Sequence, residues 1–137
     1  MSSADTPKTV LLSGHPIQYE DTAGAAITPG EVLVYDDGDV EPGAADTFRI
    51  ARERDFVGEG IDDEIPSGEN VPYYRGRKGD RFYAFLATGQ NVSKGDALEA
   101  NASGVLIAAD TGTAIAAAAE DLNNTSGSPA RIKVEVI

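Results

Sequence analysis

The stretches "VSKGDALEANASGVLI" (Val92–Ile107) and "ITPGEVLVYDDGDV" (Ile27–Val40) follow one pattern. Each runs from an apolar residue through Ser or Thr, Pro or Lys, Gly and an acid into a strand-like run with Leu, then into a turn containing Gly. A partial third copy, "IPSGENVPYY", begins at Ile65. The copies centre on Gly30, Gly68 and Gly95, and their uneven spacing rules out a solenoid, which needs a fixed period. Each copy reads instead as a local device. A glycine with positive φ reverses the chain, the acid after it solvates the turn, and the alternating run enters a sheet. Repeated, the device predicts an all-β fold, a small compact β-barrel or sandwich with tight Gly-rich turns. No copy has the Gly-x-x-x-x-Gly-Lys-Ser/Thr pattern of a phosphate-binding loop.

Bulk composition narrows the partners. The 137 residues suffice for one compact domain. A net charge of −12 argues against nucleic acid, which needs a basic stripe, and against an anionic membrane surface. No apolar run is long enough to span a bilayer, and "MSSADTPKTVLLSG" lacks the charged and apolar regions of a signal peptide, so a soluble, non-secreted protein is expected. Without cysteine there is neither a disulfide framework nor a thiolate zinc site. Asp exceeds Glu by 13 to 10 and Arg exceeds Lys by 7 to 4, a balance that suits solubility in concentrated salt and points to a salt-loving source.

Along the chain, residues 1–24 are polar apart from "TVLL" and predict an extended N-terminal arm, ordered only where something holds it. Residues 25–137 are expected to form the β domain. Within it "DDGD" (Asp36–Asp39) reads as a hairpin turn. "RIARERDFVGEGI" and "DRFYAFLATG" read as short apolar runs ending at glycine, and Pro72 predicts an edge strand or a first strand position. "TAIAAAAEDL" (Thr113–Leu122) has the alanine content of a helix, but its β-like, glycine-bounded neighbours favour a strand of small side chains fitted to a crowded barrel interior. The tail alternates cleanly, Ile132, Val134 and Val136 against Arg131, Lys133 and Glu135, which predicts a half-buried strand.

Catalytic chemistry finds no foothold. The one histidine, His15, has a serine two residues before it but no oxyanion-hole motif, and a surface role is expected. The acidic runs "DDGD" and "DDE" lack the spacing of a calcium loop and read as solvated turns, so no metal and no cofactor are expected. Six of the seven arginines fall between Phe48 and Phe85. They read either as surface ion pairs with acids such as Glu53, Asp55 and Asp80, or as a positive face that steers the chain onto an acidic partner. The residues of that face would be Arg49, Arg52, Arg54, Arg75 and Arg77, with Val10, Leu11 and Leu12 docking the arm.

The segments "AITPGEVLV", "YRGRKGDRFYAFLATGQNVSKGDALEANASGVL", "AIAAAAEDL" and "GSPARIKVEVI" together resemble the capsid decoration, or cement, proteins of tailed viruses, over roughly Ala25 to Ile137. The likeness lies in the turn-Gly-acid start, the central Lys94-Gly95-Asp96 hairpin with Gly104 downstream, the small-residue strand and the final basic alternation. It implies a non-enzymatic β domain, often a homotrimer, on the outer capsid surface of the virion. Such a protein is made in the host cytoplasm and bridges neighbouring major capsid proteins against the pressure of packaged DNA. The acidic composition fits a virus of a halophilic archaeon. The alternative is a carrier module of the lipoyl or biotinyl type, which uses similar corners. It needs a modifiable lysine at an exposed hairpin tip; Lys94 lies inside the turn, and neither Asp-Lys-Ala nor Met-Lys-Met occurs.

Overall fold

The computed structural model describes residues 6–137, and they form an all-β domain around a closed five-stranded barrel. The barrel strands are β7 (Arg81–Leu86), β9 (Ala97–Ala100), β10 (Leu106–Ala108), β11 (Ala116–Ala118) and β13 (Ala130–Val136). Neighbours pair in the order β7-β10-β9-β11-β13, and β13 returns to β7 over Ala130↔Leu86 to Glu135↔Arg81. All barrel pairings are antiparallel except β7–β10, where Leu106 lies beside Leu86. Closure removes the free edges that an open sheet of this size exposes.

The tail strand buries Ile132, Val134 and Val136 and leaves Arg131, Lys133 and Glu135 half-buried, as its alternation requires. The alanine-rich segment forms the short strand β11, with Ala116 between Leu98 and Val136 and Ala118 opposite Val134. Inside a closed barrel those positions have room only for small side chains, so tertiary context overrides helix propensity.

Outside the barrel lies a three-stranded sheet of β2 (Ile17–Thr22), β6 (Asn70–Arg75) and β5 (Arg49–Ala51), with β6 in the middle. One face presents Ile50 and Tyr74 to the barrel core beside Phe48 and Phe82. The other presents Ala51, Val71 and Tyr73 to a second core with Ile27, Leu33, Val40 and Ile65. That second core lies under the hairpin of β3 (Leu33–Asp36) and β4 (Asp39–Pro42). Its turn holds Asp37 and Gly38 at φ of 53° and 89°, the double positive-φ geometry of a two-residue hairpin. The layers are therefore barrel, sheet and hairpin.

One expectation changes here. Pro72 sits in the central strand rather than at an edge or a first position. It accepts a bond from the Arg52 N–H and has no N–H to return, and β5 ends at Ala51 beside it, so the missing donor falls where the ladder stops. The run "RIARERDFVGEGI" is strand only over Arg49–Ala51; Asp55–Val57 form a single 3-10 turn closed by Gly58 at φ 81°.

Of the stretch expected as an arm, residues 1–5 lie outside the described residues, and from Leu11 onward the rest is held by its own domain. β1 (Leu11–Ser13) pairs with the start of β7, and β2 pairs with β6 over its whole length. The remaining strands, β8 (Asn91–Val92) and β12 (Leu122–Asn123), pair with each other beside the barrel.

The repeated sequence device is a turn with an i to i+3 backbone bond and a positive-φ glycine at its third position. The acid does more than solvate it. Glu31 donates its N–H to Thr28 O and accepts the Thr28 N–H on its carboxylate at 2.7 Å. Asp96 does the same with Ser93, at 2.8 Å. In the copy at Pro66–Glu69 the first residue has no N–H to give, and the Glu69 carboxylate pairs with Arg54 instead. A fourth copy, "RKGD" (Arg77–Asp80), joins β6 to β7, with Gly79 at φ 93° and Asp80 accepting the Arg77 N–H at 2.9 Å.

Candidate interaction surface

The arginines singled out by sequence divide into two groups. Arg52 pairs with Asp55 at 2.6 Å, donates to Gln18 and lies over the Tyr74 ring. Arg54 is clamped by Glu59 at 2.7 Å and Glu69 at 2.8 Å, and those hydrogen bonds push its pKa above the ordinary arginine value. Both guanidinium groups are thereby neutralised and mostly covered. Glu53 and Asp80, read as ion-pair partners, bond backbone N–H groups instead.

Arg49, Arg75 and Arg77 are different: among the described residues no carboxylate lies within ion-pair distance of them. Arg49 and Arg75 stand directly opposite each other on β5 and β6, so their side chains share one face of the sheet. Arg49 is held over the Tyr35 ring, 4.6 Å from its centroid, and Arg75 bonds the carbonyl of Gly76. Two like charges facing each other repel unless an anion joins them. In a chain of charge −12, this doublet is a local inversion of the surface.

Ile17 extends the same row on β2, opposite Arg75, and Tyr19 stacks on Tyr73 one step along. Ile17 and Tyr19 are both exposed, as are Tyr35, Phe56 and Val57, the last two at 62% and 60%. The outer edge of β2 has no strand partner among the described residues. On the opposite face, Gln18, Arg52, Phe56 and Pro72 line an open groove of about 570 Å³. A free strand edge, exposed aromatic residues and unpaired arginines are the features of a protein-contact surface. Sequence reasoning did not single out Phe56 and Val57, which it read only as part of a short apolar run ending at glycine. Their place between Asp55 and Gly58, in a turn-length insertion, was the available signal.

Tyr73 closes a polar chain beside this surface. Its hydroxyl donates to Asp21 at 2.6 Å and shares a 2.9 Å hydrogen bond with the Tyr35 hydroxyl. Burial, then the Asp21 hydrogen bond, raise its pKa well above the ordinary tyrosine value.

The remaining sequence candidates are placed as follows. Val10 is fully buried in the barrel core, which leaves its side chain no surface for a partner, whereas Leu11 and Leu12 are half-buried. Gly30, Gly68, Gly95 and Gly104 have φ of 102°, 88°, 95° and 75°. His15 is exposed in the β1–β2 turn and engages Asp80 through its backbone N–H. "DDGD" forms the β3–β4 turn, and among the described residues no three His, Cys, Asp or Glu side chains are grouped to hold a metal. Lys94 is exposed in its turn, its N–H donated to Asp121.

No family model and no curated protein matches the sequence. Among solved structures, the chain superposes on the crystal structure of the head fibre gp8.5 N base in bacteriophage phi29. The TM-score is 0.60 at 13% identity, over 90% of this chain and 95% of that one. The two share a fold. The correspondence spans nearly the full length of both chains.

Proposed function

We propose that this chain is a virion structural protein that binds the outside of a capsid and ties neighbouring major capsid proteins together, without catalysis. The observation that carries this reading is the fold correspondence, over 90% of the chain, with the head fibre gp8.5 N base. The surface supports it. Contact would run through the row Ile17, Arg75 and Arg49, with Arg77, Tyr19 and Leu12 around it, against an acidic and partly apolar patch of the shell. Homotrimers would multiply weak contacts into avidity that no single interface supplies. The acidic, lysine-poor composition suits a salt-rich medium, where repulsion between carboxylates is screened.

The cementing role is tested by adding the purified chain to undecorated, DNA-filled shells and following DNA release on heating. A raised release temperature that saturates at a fixed ratio of chain to major capsid protein supports the reading. Release at an unchanged temperature, with the chain bound, contradicts cementing and leaves attachment alone.

A further inference from the structure

Pro72 lies opposite Glu20 in the β2–β6 ladder. It has no N–H, and its carbonyl accepts the Arg52 N–H on the side of β5. The pair Glu20–Pro72 therefore exchanges no bond across the ladder, and the backbone N–H and C=O of Glu20 point away from β6. Alternation along the strand turns those of Gln18 the same way. No strand pairs with β2 on that side, and among the described residues no other backbone bond uses these four groups. β4 closes this edge only past the end of β2, where the Gly24 N–H donates to Val40 O.

The open groove of about 570 Å³ borders the same edge, because Gln18, Tyr19 and Glu20 of β2 line it together with Pro72 and Phe56. Phe56 is 62% exposed, although its turn is fixed by the bonds from the Val57 N–H to Arg54 O and from the Gly58 N–H to Asp55 O. Arg52, which also lines the groove, is held by Asp55 and Gln18. Glu20 is exposed, and its carboxylate accepts a bond from the Asn70 amide at 2.6 Å. Among the described residues no cation lies within ion-pair distance of it. Unpaired strand backbone thus runs beside an apolar wall and an uncompensated carboxylate.

We propose that β2 accepts an extended segment of a partner protein as an added strand, and that this segment carries an apolar and a basic residue two positions apart. Main-chain bonds to Gln18 and Glu20 supply the attachment, and the groove supplies the selection. Residues two apart share one face of a strand. An apolar side chain that enters the groove towards Phe56 and Pro72 therefore sets the next one on that face beside Glu20, where a lysine or arginine completes an ion pair. Charge excludes the other occupants. An acidic segment meets the repulsion of Glu20 and of a chain of charge −12. The β2 strand of a second copy brings Glu20 and Asp21 to an edge that already carries both. The inference does not rest on the shell reading, because the purified chain alone tests it.

The test is an NMR titration of the full chain with two acetylated and amidated heptapeptides, Thr-Thr-Leu-Thr-Lys-Thr-Thr and Thr-Thr-Lys-Thr-Leu-Thr-Thr, one for each direction of the added strand. At saturation one of them should slow hydrogen exchange at the Gln18 and Glu20 amides at least tenfold, and leave Tyr19, whose N–H is already bonded to β6, unchanged. The same peptide N-methylated at leucine and lysine, which removes the two donors aimed at β2, should bind at least tenfold more weakly. So should its counterpart with glutamate in place of lysine. Phe56→Ser and Glu20→Gln should each weaken the original peptide by a similar factor; both alter exposed side chains and leave the fold intact. Unchanged exchange at Gln18 and Glu20 with both peptides overturns the proposal. Binding indifferent to N-methylation, to the glutamate replacement or to Phe56→Ser overturns it as well.

Discussion

The Val10 N–H donates to Glu53 Oε2 at 3.0 Å, and both residues are buried. The bond spans 43 positions of sequence and fastens the N-terminal segment into the crevice between barrel and outer sheet. Val10 also fills the barrel core, and its carbonyl accepts the Tyr83 N–H. Removing the carboxylate leaves a buried N–H without an acceptor. Glu53→Ala should therefore lower stability by roughly 1–3 kcal/mol, the range for a hydrogen bond to a charged group or an orphaned donor. Amide exchange should speed up first at Leu11–Thr22, ahead of the barrel strands. Uniform exchange in the variant would contradict local fastening.

Gly104 and Gly95 both have positive φ, but only Gly104 is crowded. A Cβ there would lie 2.5 Å from Val32 O and 2.9 Å from Pro42 Cβ, whereas at Gly95 nothing lies within 4 Å. Gly95→Ala should cost about 1–2 kcal/mol, the strain of the left-handed conformation alone. Gly104→Ala should cost clearly more, because the Gly104 O to Val32 N–H bond that joins barrel to hairpin must also shift. Chemical denaturation of the two variants side by side checks the order.

Tyr73, Tyr74 and Tyr83 all have raised pKa values, with burial the leading cause in each. A group whose folded pKa exceeds its unfolded value contributes stability fully present below the unfolded value and lost as pH rises through the folded one. The unfolded value for tyrosine is about 10. Stability should hold to about pH 10 and then fall, with tyrosinate absorbance from these three residues appearing together with unfolding. Tyr73→Phe should flatten that fall, at the expense of the Asp21 and Tyr35 hydrogen bonds at neutral pH.

With 23 acidic residues against 11 basic ones, repulsion among carboxylates opposes the compact state wherever it is unscreened. The melting temperature should fall as salt is lowered from molar to dilute. A melting temperature indifferent to salt would remove the argument for a salt-rich medium.

The barrel was legible because its corners are written locally. Lys94-Gly95-Asp96 encodes a turn closed by two bonds between Ser93 and Asp96, and Ile132 to Val136 encode their own alternation. "RKGD" uses the same grammar and was hidden only by the arginines around it. Features set by distant residues were not legible. Nothing near Val10 announces Glu53, and nothing near Arg54 shows that Glu59 and Glu69 both reach it. The five-residue arginine face therefore becomes a smaller group, with Arg49 and Arg75 side by side because of strand register. The exposure of Tyr19 follows from β2 lying at a sheet edge, which is a property of topology.

The central claim is attachment to a capsid, and co-sedimentation with mature, undecorated shells in molar salt tests it most directly. The wild type should pellet with the shells at a saturable, fixed ratio to the major capsid protein. A folded Arg49→Glu/Arg75→Glu variant should bind at least tenfold more weakly. A folded wild-type chain that stays in the supernatant at every concentration would contradict the account.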